Sequence, residues 1–219
     1  MQALFSPDSK FMRLMGRVAD LMILNLLFLC TCLPVVTIGA ACTALYHVCF
    51  CFGTVREGGI VRTYFRTFRR EFKQSTLLWL MLLAIGTAAG LNTAFFYALP
   101  GALRWLFVLF AILFVLLLLT AGYVFPLQSQ FENSVPTTFK NALALSLAHL
   151  PRSLLITGFG CFPFFILLFD LYRFFQMGFL WAVIYFALAA YVNSILLKKV
   201  FAPYWPKRPD EAQTEEEVL

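Results

Sequence analysis

Long apolar runs leave this chain few places to fold except a lipid bilayer. They are Leu21 to Cys51, Thr76 to Leu99, Leu103 to Pro126, Leu154 to Phe169 and Phe179 to Leu197. Apart from Arg104 at the edge of one, no Asp, Glu, Lys or Arg lies inside them. A transmembrane helix needs about twenty predominantly apolar residues. A spanning β-barrel would instead need alternating segments of about ten residues, and Leu106 to Leu119 does not alternate. Charged residues are 13 % of the chain, about half the share of a soluble domain. The expected fold is therefore all-α, a polytopic transmembrane helix bundle. The 219 residues are used up by helices and short connections, so no separate soluble domain is expected.

Charge sets the expected orientation. Leu21 to Cys51 is interrupted at Leu33-Pro34 and is too long for one crossing. Lys10, Arg13 and Arg17 precede it; Arg56, Arg62, Arg66, Arg69, Arg70 and Lys73 follow it. Cytoplasmic segments carry the excess of Lys and Arg. Both ends are basic, so the segment reads as a short hairpin turning at Pro34. With the four later runs this gives six spans and both termini in the cytoplasm. Lys140, Arg152, Lys198, Lys199, Lys207 and Arg208 then also fall inside, leaving only Arg104 and Arg173 of the 17 basic residues outside. Five spans with an external N-terminus would move three basic residues out. A signal peptide cut near Ala40-Ala41 would have a long n-region followed by basic residues that oppose export. The short hairpin arms imply local thinning or tilting. The net charge of +6 is read as positive-inside loops facing anionic lipid, not as nucleic-acid binding.

Two cytoplasmic segments read as amphipathic helices. In Ile60 to Lys73, at about 100° per residue, Val61, Tyr64, Phe65, Phe68 and Phe72 form an apolar arc, with Arg62, Arg66, Arg69, Arg70 and Lys73 opposite. Such a helix lies on an anionic lipid surface or docks a cytoplasmic partner. In Pro136 to Leu150, Phe139, Leu143, Leu147 and Leu150 form an apolar side. Asn141, Ala144 and Ala148 face away, and a stop is expected at Pro151. The leading helix, Ser6 to Arg17, is expected to start at a Ser6-Pro7-Asp8-Ser9 cap. It would set Lys10, Arg13 and Arg17 on one face and Phe11, Met12, Met15 and Val18 on another. One domain is expected over 1–205 and a disordered acidic tail over 206–219.

Polar groups within the spans are few. Asn25, His47, Asn92 and Asn193 are the candidates for a polar bundle interior, with Thr37, Thr43 and Thr120. Each can be satisfied by an interhelical hydrogen bond. Ion-coupled carriers place ionisable groups near the midplane; no Asp, Glu, Lys or Arg is present there, and His47 is read as a packing residue more than as a proton relay. Gly86 and Gly90 form G-x-x-x-G, and Gly39, Ala40, Thr43 and Ala44 make a second small-residue patch; both suit close helix packing. Trp79, Tyr97, Trp105, Tyr123, Tyr172, Trp181, Tyr204 and Trp205 read as an interfacial belt. Cys30, Cys32, Cys42, Cys49, Cys51 and Cys161 read as packing residues more than as a soft-metal site. There is no G-x-x-x-x-G-K-[ST], G-x-S-x-G or H-E-x-x-H, and His47 lies far from His149, so neither an enzyme nor a resident cofactor or metal is expected.

Several stretches carry a family resemblance. They are Phe5-Ser6-Pro7-Asp8-Ser9-Lys10-Phe11-Met12, Asp20, Leu33-Pro34-Val35-Val36-Thr37-Ile38-Gly39-Ala40, Thr43-Ala44-Leu45-Tyr46, and Phe72-Lys73-Gln74-Ser75-Thr76 with Trp79. In these the chain resembles the YesL family of bacterial integral membrane proteins, a domain of unknown function. The resemblance implies a multi-pass protein of the bacterial cytoplasmic membrane. Family members are often encoded beside carbohydrate ABC importers, which implies an accessory role toward a permease or its ATPase. No catalytic or binding residue carries over. The alternative expectation is an autonomous small-solute facilitator, with Asn25, His47, Asn92 and Asn193 lining an uncoupled pathway.

Overall fold

The computed structural model describes residues 10–52 and 59–204, with side chains from residue 15 onward. The expected cap at Ser6-Pro7-Asp8-Ser9, Arg56, Trp205 and the tail 206–219 lie outside the described residues. So do the side chains of Lys10, Phe11, Met12 and Arg13. Among the described residues there is no strand. The helices are α1 (Lys10–Cys32), α2 (Ile38–Phe50), α3 (Gly59–Ala98), α4 (Leu106–Gln130), α5 (Val135–Ala148), α6 (Leu150–Phe169), α7 (Leu171–Gln176), α8 (Gly178–Leu180) and α9 (Phe186–Phe201). A π-helical segment, Trp181–Tyr185, joins α8 to α9.

Among the described residues, five helices are long and apolar enough to cross a membrane: Met15–Cys32, Gly59–Ala98, Ala102–Gln130, Leu150–Phe169 and Gly178–Tyr204. The expected break at Leu33-Pro34 is present. α1 ends at Cys32, Pro34 caps a short 3-10 turn, and α2 begins at Ile38. Pro34 has no N–H to continue the α1 ladder, and it restricts Leu33 as well. Thr37 Oγ1 closes the turn by donating to the carbonyls of Thr31 (2.5 Å) and Pro34 (2.7 Å). The return arm is shorter than the rest. The 13 residues of α2 rise about 20 Å, against about 30 Å of hydrocarbon.

Two expected boundaries are absent. The leading helix and first arm are one continuous α1, since Val18, Ala19 and Asp20 contain no breaker. Likewise the amphipathic stretch Ile60 to Lys73 and the following span form the single 40-residue α3, because Gln74, Ser75 and Thr76 do not stop a helix. At about 60 Å it is twice the length a crossing requires, so its N-terminal half is a projecting or tilted extension of the span.

α2 is the centre of the bundle and packs on α1, α3, α4 and α9. Small residues make this possible, because they let backbones approach in lipid, where van der Waals contact drives helix association. Ala40, Ala41, Thr43 and Ala44 are all fully buried. Gly39 is the closest approach of all: a Cβ there would sit 2.3 Å from the Ser75 carbonyl oxygen. Thr43 and Ser75 share a 2.9 Å hydrogen bond across the same contact. The G-x-x-x-G of α3 is less tight. A Cβ on Gly86 meets the end of the Leu117 side chain at 3.2 Å, and one on Gly90 meets Phe114 at 3.7 Å.

Two apolar clusters fill the interior. One joins Leu24, Phe28, Ala44, Val48, Tyr64 and Ala187 where α1, α2, the start of α3 and α9 meet. The other joins Phe50, Leu78, Tyr123, Phe125, Ile156 and Phe201. The aromatic belt is only partly a belt. Tyr97, Trp105, Tyr172 and Tyr204 are exposed, whereas Tyr123 and Trp181 are buried and Trp79 is half-buried. Each inward ring brings its polar tip to a partner: Trp79 Nε1 donates to the Val35 carbonyl, Trp181 Nε1 to the Phe174 carbonyl, and Tyr123 accepts from Ser153.

Candidate functional site: a three-faced helix

The first half of α3 carries three faces. Ile60, Tyr64, Thr67 and Ser75 recur at helical spacing and are buried. Tyr64 is sealed against α1 by a 2.6 Å hydrogen bond to Thr31. Next to this face stand Val61, Phe65 and Phe72, 36–40 % exposed, with Phe68 half-buried among them. Beyond them Arg62, Arg66, Arg69, Arg70 and Lys73 are all exposed. The apolar arc expected from the sequence is thus split. Tyr64 turns inward, while Val61, Phe65 and Phe72 turn outward and present aromatic surface beside the cations. Phe68 and Phe72 meet edge-on at 5.6 Å, and Tyr64 stacks on Phe68 at 6.3 Å, so the aromatic strip is held by its own contacts.

One carboxylate interrupts the cations. Glu71 lies on the inner arc, with its side chain 12 % exposed. It accepts from Arg70 Nε (2.7 Å) and from Gln128 Nε2 of α4 (2.7 Å). Gln128 Oε1 in turn accepts from Thr138 of α5 at 3.3 Å, and Gln74 donates to the Asn133 carbonyl. This chain of bonds fixes the basic face to α4 and α5. Glu71, Gln128 and Thr138 were not singled out from sequence. The available signal was the position of Glu71 in register with Ile60, Tyr64, Thr67 and Ser75. Among the described residues, no carboxylate comes within ion-pair distance of Arg62, Arg66, Arg69 or Lys73.

The end of α9 adds to this region. Cys51, in the turn after α2, has its thiol pKa pushed up by burial, while Lys198 and Arg66 pull it down. Cations from α3 and α9 thus converge on one turn. α5 also has more than one face. It buries Thr138, Ala142, Leu145 and Ser146, beside the expected apolar side through Phe139, Leu143, Leu147 and Leu150. Leu147 and Leu150 are exposed. α5 ends at Ala148 and Pro151 falls in the first turn of α6, where a missing N–H costs nothing.

Among the described residues, no hydrogen bond joins any two of the four polar candidates. Asn25 is fully buried. Its Nδ2 donates to the Trp181 (3.0 Å) and Ala182 (2.7 Å) carbonyls, and its Oδ1 accepts from Ala187 N–H (3.0 Å). These three bonds tie α1 to the π-helical segment and the first turn of α9. His47 Nδ1 bonds the Ser129 carbonyl at 3.0 Å. Asn92 bonds the carbonyl of Ala88 one turn back on its own helix, on an exposed side. Asn193 is buried and donates to the Ile156 carbonyl (3.2 Å) and Tyr46 hydroxyl (3.4 Å). Far from the basic face, Arg104 lies 4.7 Å over the Tyr97 ring and Arg173 pairs with Asp170 at 3.0 Å. No disulfide joins the six cysteines.

Residues 21–93 match a family described as a protein of unknown function, DUF624. The matched stretch runs from the body of α1 through most of α3, and so contains the Pro34 turn, the Gly39–Ser75 contact and the three-faced segment. No curated protein matches the chain. No solved structure matches it either.

Proposed function

We propose that the chain is a non-enzymatic accessory protein of the bacterial cytoplasmic membrane that docks a partner on the outer faces of α3. The partner in this reading is the permease or ATPase of a carbohydrate ABC-type importer. The observation that carries the docking is the strip Arg62, Arg66, Arg69 and Lys73, exposed, and beside exposed Val61, Phe65 and Phe72. Cations next to aromatic surface suit the headgroup boundary of an anionic bilayer. Val61, Phe65 and Phe72 would seat there, leaving the arginines for lipid phosphates and for acidic groups of the partner. The Glu71–Gln128–Thr138 chain supports the reading by making the face rigid before binding, which lowers the ordering cost of association. The importer itself is inferred only from the resemblance to the YesL family, an associational ground. In this reading α1 and α2 form the hairpin turning at Pro34, the bundle has six membrane segments with α2 the short one, and both termini are cytoplasmic.

The test is a tagged pull-down from native membranes in mild detergent, read by mass spectrometry. A stoichiometric ABC permease or ATPase is expected. Arg66→Glu with Arg69→Glu is expected to lose it while the protein elutes as a folded species. Unchanged co-purification by the double variant would remove this face from the interface. The facilitator reading gains nothing from Asn25, His47 and Asn92, each of which bonds backbone, and Asn193 leaves only its Oδ1 unpaired. Sugar uptake by proteoliposomes of the pure protein would restore it.

A further inference from the structure

A cavity of about 350 Å³ lies between α1, α2, α6 and α9, with Trp79 of α3 on its wall. That volume is in the range of small-molecule sites. Among the described residues, its lining includes no charged side chain. Most of the wall is hydrocarbon and aromatic, with Phe28, Phe159, Phe164 and Phe186 along it. Phe159 and Phe164 are 45 % and 63 % exposed, so the mouth opens on the outer surface of a candidate membrane span and is reached from lipid.

The polar groups on the wall are few and mostly spent. Trp79 Nε1 donates to the Val35 carbonyl, and the Tyr185 hydroxyl to the Phe159 carbonyl. Asn193 and Tyr46 are different. Asn193 is 1 % exposed and uses its Nδ2 twice, yet its Oδ1 has no hydrogen-bond partner. A buried polar atom left without a partner is costly, more so where no water reaches. The Tyr46 hydroxyl accepts from Asn193, which leaves its own proton to donate. One unused acceptor and one unused donor therefore belong to neighbouring side chains in an otherwise apolar wall, with Asn193 Oδ1 recessed behind the cavity surface.

We propose that this cavity binds a neutral long-chain alcohol. A hydroxyl both donates and accepts, so one head group would accept from Tyr46 Oη and donate to Asn193 Oδ1 as the recessed amide turns to meet it. The hydrocarbon chain would lie along the phenylalanines toward the lipid. A carboxylate or ammonium head finds no counter-charge there, and a plain alkane leaves the amide oxygen unpaired. The site is independent of the docking face on α3.

The experiment uses the full chain in nanodiscs of neutral phospholipid, with Trp79 as the single tryptophan (Trp105→Phe, Trp181→Phe, Trp205→Phe). Its fluorescence is titrated with ω-bromoundecanol and, in parallel, bromoundecane. The alcohol is expected to quench saturably, with half-effect at about fivefold lower mole fraction than the alkane, as one net hydrogen bond implies. Tyr46→Phe, which removes only a hydroxyl, is expected to erase that difference. Ala189→Phe, which fills the cavity, is expected to leave only linear collisional quenching. Equal quenching by alcohol and alkane overturns the proposal, as does linear quenching by both. An unchanged difference in both Tyr46→Phe and Asn193→Leu overturns the assigned head-group contacts.

Discussion

Gly39→Ala adds one methyl group at the place where α2 and α3 come closest. The new Cβ would lie 2.3 Å from the Ser75 carbonyl oxygen and 2.7 Å from Trp79 Cβ. The nearest comfortable carbon–oxygen contact is about 3.3 Å, so the helices must part by about 1 Å. Backbone and Cβ atoms cannot rotate aside, so no rotamer change relieves the clash. Parting also stretches the 2.9 Å Thr43–Ser75 bond and the 2.8 Å Trp79–Val35 bond. Overpacking of this kind costs about 1–3 kcal/mol, and each strained interhelical bond adds about 0.6 kcal/mol. Against this, Ala favours helix over Gly by up to about 1 kcal/mol, less in the first turn where Gly39 sits. A net loss of about 2–3 kcal/mol is expected. The assay is reversible unfolding in mixed micelles titrated with dodecyl sulfate and followed by far-UV circular dichroism. Gly90→Ala is the control, because its Cβ meets only Phe114 at 3.7 Å; it should be neutral or slightly stabilising. A Gly39→Ala protein within about 0.5 kcal/mol of the parent, the range of innocuous surface changes, would refute the reasoning. So would equal damage from both variants.

Other outcomes follow from single contacts. Asn25→Ala removes three hydrogen bonds to the backbone around the π-helical segment; a loss of about 2 kcal/mol is expected by the same assay, with Trp181 emission shifting as its surroundings loosen. Cys51 should alkylate slowly with maleimide at neutral pH and faster as pH rises, since burial holds its thiol pKa up. Because Arg66 favours the thiolate, Arg66→Gln should slow the reaction further in a protein whose other cysteines are replaced, read as mass gain over time; acceleration by Arg66→Gln would contradict the placement of Arg66 beside that turn.

Much of the helix layout follows from local chemistry. Backbone groups in lipid must be bonded within the segment, so an uncharged apolar run declares a helix, and the later runs coincide with α4, α6 and the Gly178–Tyr204 segment. Proline at 34 declares the turn by lacking an N–H. The basic strip of α3 also follows directly from sequence spacing, since Arg62, Arg66, Arg69, Arg70 and Lys73 all stand exposed.

Which apolar side faces protein was decided only by the tertiary structure. In water, apolarity marks the buried side; in lipid the outside is as apolar as the inside, and the sorting signal vanishes. Hence the inner face of α3 runs through Tyr64, Thr67 and Ser75, with Phe65 and Phe72 outside, and α5 buries Thr138 and Ser146 while exposing Leu147. Close packing and hydrogen bonding chose the inner residues. Both depend on what the neighbouring helix offers. Gly39 needs the Ser75 backbone, Asn25 needs a π-helical segment 156 residues away, and the pairing of Asn193 with Tyr46 exists only once α2 and α9 have met.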